Sequence, residues 1–467
     1  MKTFDNFLLN KNILRALADL GFIHPTKIQQ EVIPYILKYD KDLIALSQTG
    51  TGKTAAFGIP IIQKIKLNIY HPQTLILCPT RELCLQITSD LRSLAKYIAI
   101  QIIPLYGGIN IHKQIIYLKK DVHIIVGTPG RINDLIRRRK LSLYNIKYLI
   151  LDEADEMLNM GFKEELDTII QKLPKKRQSL LFSATMSTHI NLIAKNYLIN
   201  PIEIIIGEKN IGSNDVKHIY YVVNKTNNKY YTLKKIMDVN PNIYGIIFCQ
   251  TRKKTKEIAN SLIKDGYNAD ALYGDLTQFQ RESVMTRFRN KTLQLLVATD
   301  VASRGLDVQD ITHVINYNIP NESKLYVHRS GRTGRAGNSG ISICILHTNK
   351  ETRYLKEFEK KIGTSFQRIT IPTDKEICEK QLLNFIDKVK NVSIDNKLLK
   401  IFLPKIENKL VSFNKEELIK RFFWLEFSRL FYIYKNSKDY KTAILYKSSS
   451  AVKIKKKCTH YLDKQKK

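Results

Sequence analysis

Two short stretches of this sequence carry the residue types that handle phosphate. Gly50-Thr-Gly-Lys-Thr54 follows an apolar run at 43–46 and precedes a helical pattern that begins near Ala55. This is the strand–loop–helix setting of a P-loop. Glycines let backbone N–H groups close on phosphate oxygens. Lys53 is placed to contact the β- and γ-phosphates and the Thr54 hydroxyl to bind Mg²⁺, with partial positive charge added by the helix start. The strict pattern has glycine at position 47, where this chain has Ser47; read alone, the motif is also compatible with a glycine-rich turn. The second stretch, Asp152-Glu-Ala-Asp155, closes the apolar run at 148–151. Open α/β sheets bind ligands at the carboxyl ends of their strands. Asp152 is placed to hold Mg²⁺, usually through water, and Glu153 to orient and deprotonate an attacking water. A solvated acidic helix start would also place carboxylates here, but a P-loop about 100 residues upstream favours the metal reading.

A third stretch supplies cations. His328-Arg-Ser-Gly-Arg-Thr-Gly-Arg335 holds three arginines within seven residues. A guanidinium fork suits the charge that grows on transferring phosphoryl oxygens. By itself the segment also reads as a basic helix touching RNA.

These residues need a scaffold. Short β-branched and leucine-rich runs at 42–46, 74–78, 123–126, 148–151 and 180–182 alternate with helix-length amphipathic stretches, and the pattern resumes at 243–248, 295–298, 313–315 and 341–346. Strands alternating with helices predict βαβ units and parallel sheets. One sheet over about 300 residues exceeds a single core, so a boundary is expected at the polar stretch Gly207-Glu-Lys-Asn-Ile-Gly-Ser-Asn214. From about 372 the strand signal fades, and Leu382, Phe385, Val389, Leu418, Phe422 and Leu425 suggest amphipathic helices. The expected division is 1–207, a linker at 208–215, 216–371, a helical segment at 372–439 and a basic tail at 440–467. That tail holds nine lysines and one aspartate.

The chain has 467 residues and a formal charge of +33, from 76 Lys and Arg against 43 Asp and Glu. An apolar fraction of 43% excludes full disorder. No apolar run of membrane-spanning length and no secretory h-region occur. Cys78, Cys84, Cys249, Cys344, Cys378 and Cys458 lack metal-like spacing, which fits a reducing cytoplasm better than a disulfide framework. The charge points to a polyanionic partner, although lysine, isoleucine and asparagine are abundant throughout, so part of it reads as compositional drift.

Taken in order, the motifs resemble those of DEAD-box RNA helicases over about residues 4–370. They are Gly21-Phe-Ile-His-Pro-Thr-Lys-Ile-Gln29, Ser47-Gln-Thr-Gly-Thr-Gly-Lys-Thr54, Pro79-Thr-Arg-Glu-Leu83, Gly107-Gly108, Thr128-Pro-Gly-Arg131 and Asp152-Glu-Ala-Asp155. They continue with Ser183-Ala-Thr185, Gln278 with Arg281, Ala298-Thr-Asp-Val-Ala-Ser-Arg-Gly-Leu-Asp307 and His328–Arg335. The run Asp152-Glu-Ala-Asp-Glu-Met-Leu-Asn-Met-Gly-Phe162 and the helical C-terminal segment most resemble the bacterial cold-shock subgroup. Ser47, Cys84, Ser303 and Ser330 replace the residues usual in the family, and none of these changes removes a charge or a phosphate ligand.

The resemblance implies an α/β fold of two tandem RecA-like parallel-sheet domains with a helical C-terminal extension, ATP between the domains and RNA across both. It implies that Gln29 reads adenine, that Phe22 stacks on the base with Phe4 behind it, and that Ser47, Gln48, Thr49, Gly50, Thr51, Gly52, Lys53 and Thr54 hold the phosphates. Gly305 and Asp307 would take the ribose side, and Arg332 and Arg335 the γ-phosphate on closure. Ser183, Thr185, Asp155 and His328 would relay closure. Pro79, Thr80, Arg81, Gly107, Gly108, Thr128, Gly130, Arg131, Arg252, Arg281 and Thr299 would contact RNA, largely through its phosphates.

The expected activity is ATP-dependent, RNA-stimulated opening of short RNA duplexes in the cytoplasm, in ribosome assembly, RNA decay or cold adaptation. Expected partners are RNA, a second copy through the C-terminal helices, and ribosomal or RNA-decay assemblies, with no membrane. The runner-up is an ATP-gated RNA clamp or chaperone with little unwinding; a DNA translocase and a non-enzymatic scaffold rank lower. The phosphate residues carry the first test. Lys53→Ala is expected to weaken ATP binding and hydrolysis together. Glu153→Gln keeps the shape but loses the base, so ATP stays bound while turnover falls by about 10²–10⁴-fold. Nucleotide binding and steady-state hydrolysis of both variants check this, and a wild-type rate for Glu153→Gln would remove it from the base position.

Overall fold

The isoleucine- and leucine-rich runs become short, almost wholly buried strands, and the helices between them return the chain to the same sheet edge each time. In the computed structural model, residues 3–47, 50–183, 188–206, 215–223, 228–303, 308, 310–334, 339–347 and 349–435 are described. The first sheet contains β1 (Leu43–Leu46), β2 (Thr74–Leu77), β3 (Ile102–Leu105), β4 (Ile124–Gly127), β5 (Tyr148–Leu151), β6 (Gln178–Ser183) and β7 (Ile202–Ile205). Its order is β3-β4-β2-β5-β6-β1-β7, and the neighbouring strands run parallel. The second contains β8 (Val216–Val222), β9 (Gly245–Phe248), β10 (Ala269–Leu272), β11 (Leu295–Ala298), β12 (His313–Asn316), β13 (Gly340–Leu346) and β14 (Gln367–Arg368). Its order, β10-β11-β9-β12-β13-β8-β14, repeats the first position by position. The expected pair of RecA-like sheets is therefore present, and it is a topological duplication.

The sequence runs mark every interior strand except β8, which lies between β13 and β14. β5 and β11 match the runs at 148–151 and 295–298, and others shift by a residue or two. Strands that those runs did not mark include β3, β7, β10 and β14, and these are the outer strands of the two sheets. An outer strand needs less apolar surface and tolerates residues that an inner one excludes. β3 holds Pro104, β10 holds Asp270, and β14 is two residues long.

Helices cover both faces of the first sheet. One layer packs Ile28, Phe57, Ile87 and Leu91 against Ile76 and Phe182, and the other packs Ile132, Leu135, Met157 and Leu166 against Leu75 and Leu149. In the second sheet Tyr326 is fully buried among Cys344, Phe358 and Phe366, and its hydroxyl lies 2.6 Å from His218 Nδ1 and donates to Ser342 Oγ at 2.8 Å. Burial pushes the His218 pKa down to about 4.

The chain separates into two compact units. One comprises Met1–Tyr220 with Tyr244–Gln367 and so carries nearly all of both sheets; the other comprises Tyr221–Ile243 and the chain from Arg368 on. Within the second unit, the helix Lys229–Asp238 is fastened to the helix Asp374–Asn391. Lys235 Nζ meets Asp374 Oδ1 at 2.9 Å and the Pro372 carbonyl at 3.0 Å, and Gln381 Nε2 donates to the Asp238 carbonyl at 3.0 Å. The helix Lys415–Lys435 packs Phe423 and Phe427 edge-on against Phe385, with ring centroids 5.6 and 5.3 Å apart. The expected helical segment is thus formed. The sequence packs Phe422, Phe423, Trp424, Leu425, Phe427, Leu430 and Phe431 too densely for one amphipathic stripe, and this stretch divides. Phe427 is buried, while Phe422, Trp424 and Leu425 stay 61%, 62% and 77% exposed. The side chains of Leu430 and Phe431, the linker at 208–214 and the basic tail lie outside the described residues. Among the described residues no helix is long and apolar enough to cross a membrane.

Asp42 is the clamp at the amino end of the first sheet. Its carboxylate accepts from Ser179 N–H and Ile199 N–H, both at 2.7 Å, tying together the starts of β1, β6 and β7. Burial pushes its pKa up, against the pull of those two N–H groups. Asp42→Ala leaves buried N–H groups without an acceptor, and Asp42→Asn presents a donor to one of them. Each variant is expected to lose roughly 1–3 kcal/mol, read as a lowered Tm in thermal denaturation.

Candidate active site

The motifs collect on the carboxyl edges of the strands, and the strand order sorts them. On the first sheet β1, β6 and β5 are consecutive, and they end in the P-loop, Ser183 and Asp152. On the other side β2, β4 and β3 are consecutive, and they end in Pro79–Arg81, Thr128–Arg131 and Gly107–Gly108.

On the phosphate side, β1 is buried throughout and delivers Ser47 to the edge. Ser47 N–H donates to the Ser183 carbonyl at 3.1 Å, and its hydroxyl lies 2.9 Å from that of Thr51. Gly52 caps the helix Lys53–Lys64 in the left-handed region at φ 86°. A Cβ there would stand 2.5 Å from Gln29 Nε2, so glycine is required on both conformational and steric grounds. Lys53 is 8% exposed, and its ammonium donates to the Ser47 carbonyl at 3.0 Å. Thr54 is half-buried one residue on.

Gln29 sits directly behind this loop. Thr26 and Gln29 form a capping box on the helix Lys27–Lys38. Gln29 Oε1 accepts from Thr26 N–H at 2.9 Å, and Nε2 donates to the Gly52 carbonyl at 3.2 Å. A primary amide has two acceptor sites and two N–H groups, so one of each remains, which is the complement that adenine N6–H and N7 require. Phe4 is buried, Phe22 is 40% exposed, and their rings stack with centroids 6.4 Å apart.

Asp152 is buried beside Lys53. Burial pushes its pKa up to about 7; Lys53 opposes that rise, and Glu153 and Asp155 add to it. A buried carboxylate in that position is stabilised by a hard cation, and its oxygen chemistry with the Thr54 hydroxyl fits Mg²⁺. Glu153 stands in the left-handed region at φ 48°, unusual for a residue with a side chain. Such backbone strain costs on the order of 1–3 kcal/mol and gathers at functional sites.

The second sheet meets this edge with its own carboxyl ends. His328 Nδ1 lies 2.8 Å from Glu156 Oε1, and Nε2 lies 3.9 Å from Asp155 Oδ2. Burial pulls the His328 pKa down, but the bond to Glu156 and the charges of Asp155, Glu156 and Glu153 outweigh it and hold the imidazole above its ordinary range. One small cavity is lined by Glu153, Asp155, Glu156, Asp300, Ser303, His328, Arg329 and Arg332. The arginines there have different surroundings. Arg329 is 3% exposed and grips both oxygens of Asp300 at 2.5 and 2.8 Å, Asn316 Oδ1 at 2.9 Å and the Asn318 carbonyl at 2.8 Å. It is therefore a structural strut. Arg332 lines the cavity at 8% exposure. Gln48, Thr49, Thr185, Gly305, Asp307 and Arg335 lie outside the described residues.

On the other half of the edge, Thr80 caps the helix Arg81–Leu94 by accepting from Leu83 N–H at 3.3 Å. Arg81 lies over the Tyr106 ring at 4.4 Å and pairs with Glu282; in return Arg281 pairs with Glu82 and donates to the Ala302 carbonyl at 2.5 Å. Arg131 braces the loop beyond β3, donating to Gln114 Oε1 at 2.8 Å and the Ile109 carbonyl at 3.0 Å. Thr128 caps the helix Pro129–Arg137, and a Cβ on Gly130 would meet open space. Arg252 pairs with Asp275 at 2.6 Å on an open surface, and Thr299 is buried at the end of β11. Sequence reasoning offers Glu82 as a partner for Arg81, whereas the structure gives Arg81 to Glu282 and Glu82 to Arg281; it missed Glu282, Glu156, Asp275 and Asp300 as the acids that hold these cations. A signal existed for Glu282, because the dipeptide Arg-Glu opens the pattern at both 81–82 and 281–282.

Comparison with known proteins agrees with this layout. Residues 26–193 match the DEAD/DEAH box helicase family, 228–337 the helicase conserved C-terminal domain, and 377–435 the helical domain of a probable ATP-dependent RNA helicase. The chain is 41% identical over 399 residues to the DEAD-box ATP-dependent RNA helicase CshA of Bacillus cereus, covering 85% of this chain and 75% of that one. It is 40% identical over 422 residues to the ATP-dependent RNA helicase DeaD of Buchnera aphidicola, covering 89% and 69%. Among solved structures it resembles S. cerevisiae Dbp5 bound to RNA and ADP BeF3, with a TM-score of 0.75, 29% identity and coverage of 83% and 100%. It also resembles the DEAD-box helicase Mss116 bound to ssRNA and UDP-BeF, with a TM-score of 0.71, 28% identity and coverage of 81% and 83%. With two duplicated parallel sheets, a P-loop edge facing an arginine-bearing edge, and relatives at this level of identity over most of its length, the chain belongs to the family of DEAD-box ATP-dependent RNA helicases.

Proposed function

We propose that this enzyme separates short RNA duplexes locally by closing its two sheet domains on ATP and a single RNA strand, and reopens on hydrolysis. The observation that carries the reading is the shared cavity, in which Glu153 and Asp155 from the first domain stand with His328 and Arg332 from the second. Lys53 and the backbone of the 47–54 loop hold the phosphates, Gln29 and Phe22 with Phe4 hold the adenine, and Asp307 with Gly305 takes the ribose. Thr54 and Asp152 hold Mg²⁺, which supplies charge neutralisation at the phosphates. Glu153 accepts the proton of the attacking water, and Arg332 with Arg335 meets the γ-phosphate only when the domains are closed. Ser183, Thr185, Asp155 and His328 couple that closure to the RNA side, where Arg81, Arg131, Arg252, Arg281 and the loop and helix-start residues around them grip phosphates. The domain limits proposed are those expected from the sequence, at 207, 216 and 371, and the setting proposed is cytoplasmic, in RNA decay, ribosome assembly or cold adaptation.

The test compares RNA-stimulated hydrolysis and strand separation with ATP and with GTP. Guanine presents O6 where adenine presents an N6 donor, so a group of Gln29 is left unpaired. A buried unpaired group costs roughly 1–3 kcal/mol, or about 5- to 150-fold in kcat/KM. Equal kcat/KM for the two nucleotides would remove Gln29 from the base site. RNA-stimulated hydrolysis without strand separation would make the protein an RNA clamp.

We also propose that the exposed apolar face of the helix Lys415–Lys435 pairs with a second copy of the chain. A helix apolar most of the way round requires cover on more than one side; among the described residues Phe423 and Phe427 pack on Phe385, while Phe422, Trp424 and Leu425 stay exposed. Trp424→Asp with Leu425→Asp is the variant to use, because truncation would also strip the partner of the helix Lys229–Asp238. Sedimentation at micromolar concentration is expected to give a dimer for the wild type and a monomer for the variant. A monomeric wild type rules the contact out.

A further inference from the structure

We infer that Phe279 is a base-stacking residue for the bound RNA strand. Resting on the reading of the surrounding residues as an RNA track, this adds a contact to a base where that reading has contacts to the backbone. Phe279 is 81% exposed, an unusual setting for a large aromatic. It sits in the first turn of the helix Gln278–Arg289. Thr277 and Gln280 close it as a capping box, with Thr277 N–H donating to Gln280 Oε1 at 2.9 Å.

The neighbourhood calls for an anion. The Arg81 side chain is 10% exposed, yet its Nε and Nη1 are buried without an acceptor. Buried donors in native proteins are normally satisfied, so these two point to an absent acceptor. Gly108, at φ 81°, keeps the space beside them open: a Cβ there would come 3.6 Å from Arg81 Nη1 and 3.8 Å from Gln278 Oε1. A phosphate drawn to Arg81 therefore lies against Gln278, and the exposed ring of the next residue stands about 100° round the helix. Val301 is a second exposed apolar residue, on a different element. It is 58% exposed on the turn whose Ala302 carbonyl accepts from Arg281 at 2.5 Å. Cations along a backbone with an aromatic face beside them is how single strands are held without choice of sequence. The formal charge of +33 on the whole chain favours RNA over an apolar protein partner.

The test is fluorescence anisotropy of the full chain, with a non-hydrolysable ATP analogue and a labelled single-stranded oligouridine. The same oligonucleotide is also used with abasic sugars placed one position at a time. The wild type is expected to lose affinity at one or two abasic positions. Phe279→Ala should bind the intact strand roughly 5- to 150-fold more weakly, be indifferent to the abasic positions, keep its melting temperature, and regain affinity as Phe279→Trp. Arg81→Ala separates the two readings. If it leaves RNA binding unchanged, the RNA track itself is wrong here. If it weakens binding while Phe279→Ala does not, the stacking inference alone is overturned. The inference is equally overturned if Phe279→Ala shows the wild-type abasic pattern, or if it keeps RNA affinity and alters only the sedimentation of the chain, which would make the ring a protein contact.

Discussion

Parallel pairing governs this molecule. A strand that pairs in parallel with its neighbour must be reached by a crossover, so each strand starts at one edge of the sheet and ends at the other. Every loop that follows a strand then lies along one line. In the first sheet that line carries, in order, the Gly107 loop, Thr128, Pro79, Asp152, Ser183 and the P-loop. With strands about 4.8 Å apart, the P-loop and the Gly107 loop are only a few strand spacings from one another, and β6 with Ser183 fills the gap between the P-loop and Asp152.

The second sheet has the same order but a different load. β8 occupies the place of β1, yet no glycine-rich phosphate loop follows it. The place of β5 is taken by β12; the helix Ser323–Ser330 after it supplies His328 and Arg329, and the turn that follows supplies Arg332. One copy of the fold thus supplies carboxylates and a lysine, and the other supplies a histidine and guanidiniums. The charges are arranged so that neither edge is electrostatically complete alone. His328 makes this plain, because burial disfavours its charge and the bond to Glu156, with the charges of Asp155, Glu156 and Glu153, outweighs that.

Much of this was legible in the sequence. Motifs such as Gly50-Thr-Gly-Lys-Thr54 have few physical alternatives once strand and helix patterns flank them, and buried strands such as β5 and β11 declare themselves by composition. Edge strands do not, because Pro104 or Asp270 is tolerated there and the apolar signal is diluted. Partners were also hidden. Arg329, Arg332 and Arg335 look alike along the chain, and only the fold shows Arg329 locked to Asp300 and Asn316. The amphipathic signal of the last helix gave its existence but not which ring faces Phe385, since Phe422, Phe423, Trp424 and Leu425 are consecutive and only three-dimensional packing divides them.

The reciprocal pairs Arg81–Glu282 and Arg281–Glu82 have a thermodynamic corollary. An arginine that moves to an RNA phosphate displaces a condensed cation from the nucleic acid, which normally steepens the loss of affinity with ionic strength. Here both arginines, each proposed to grip RNA, are already held by a carboxylate, Arg81 by Glu282 and Arg281 by Glu82, so reaching a phosphate means giving up a pair. The free energy of such a contact is the difference between the two partners, and it is smaller than the charge of +33 suggests.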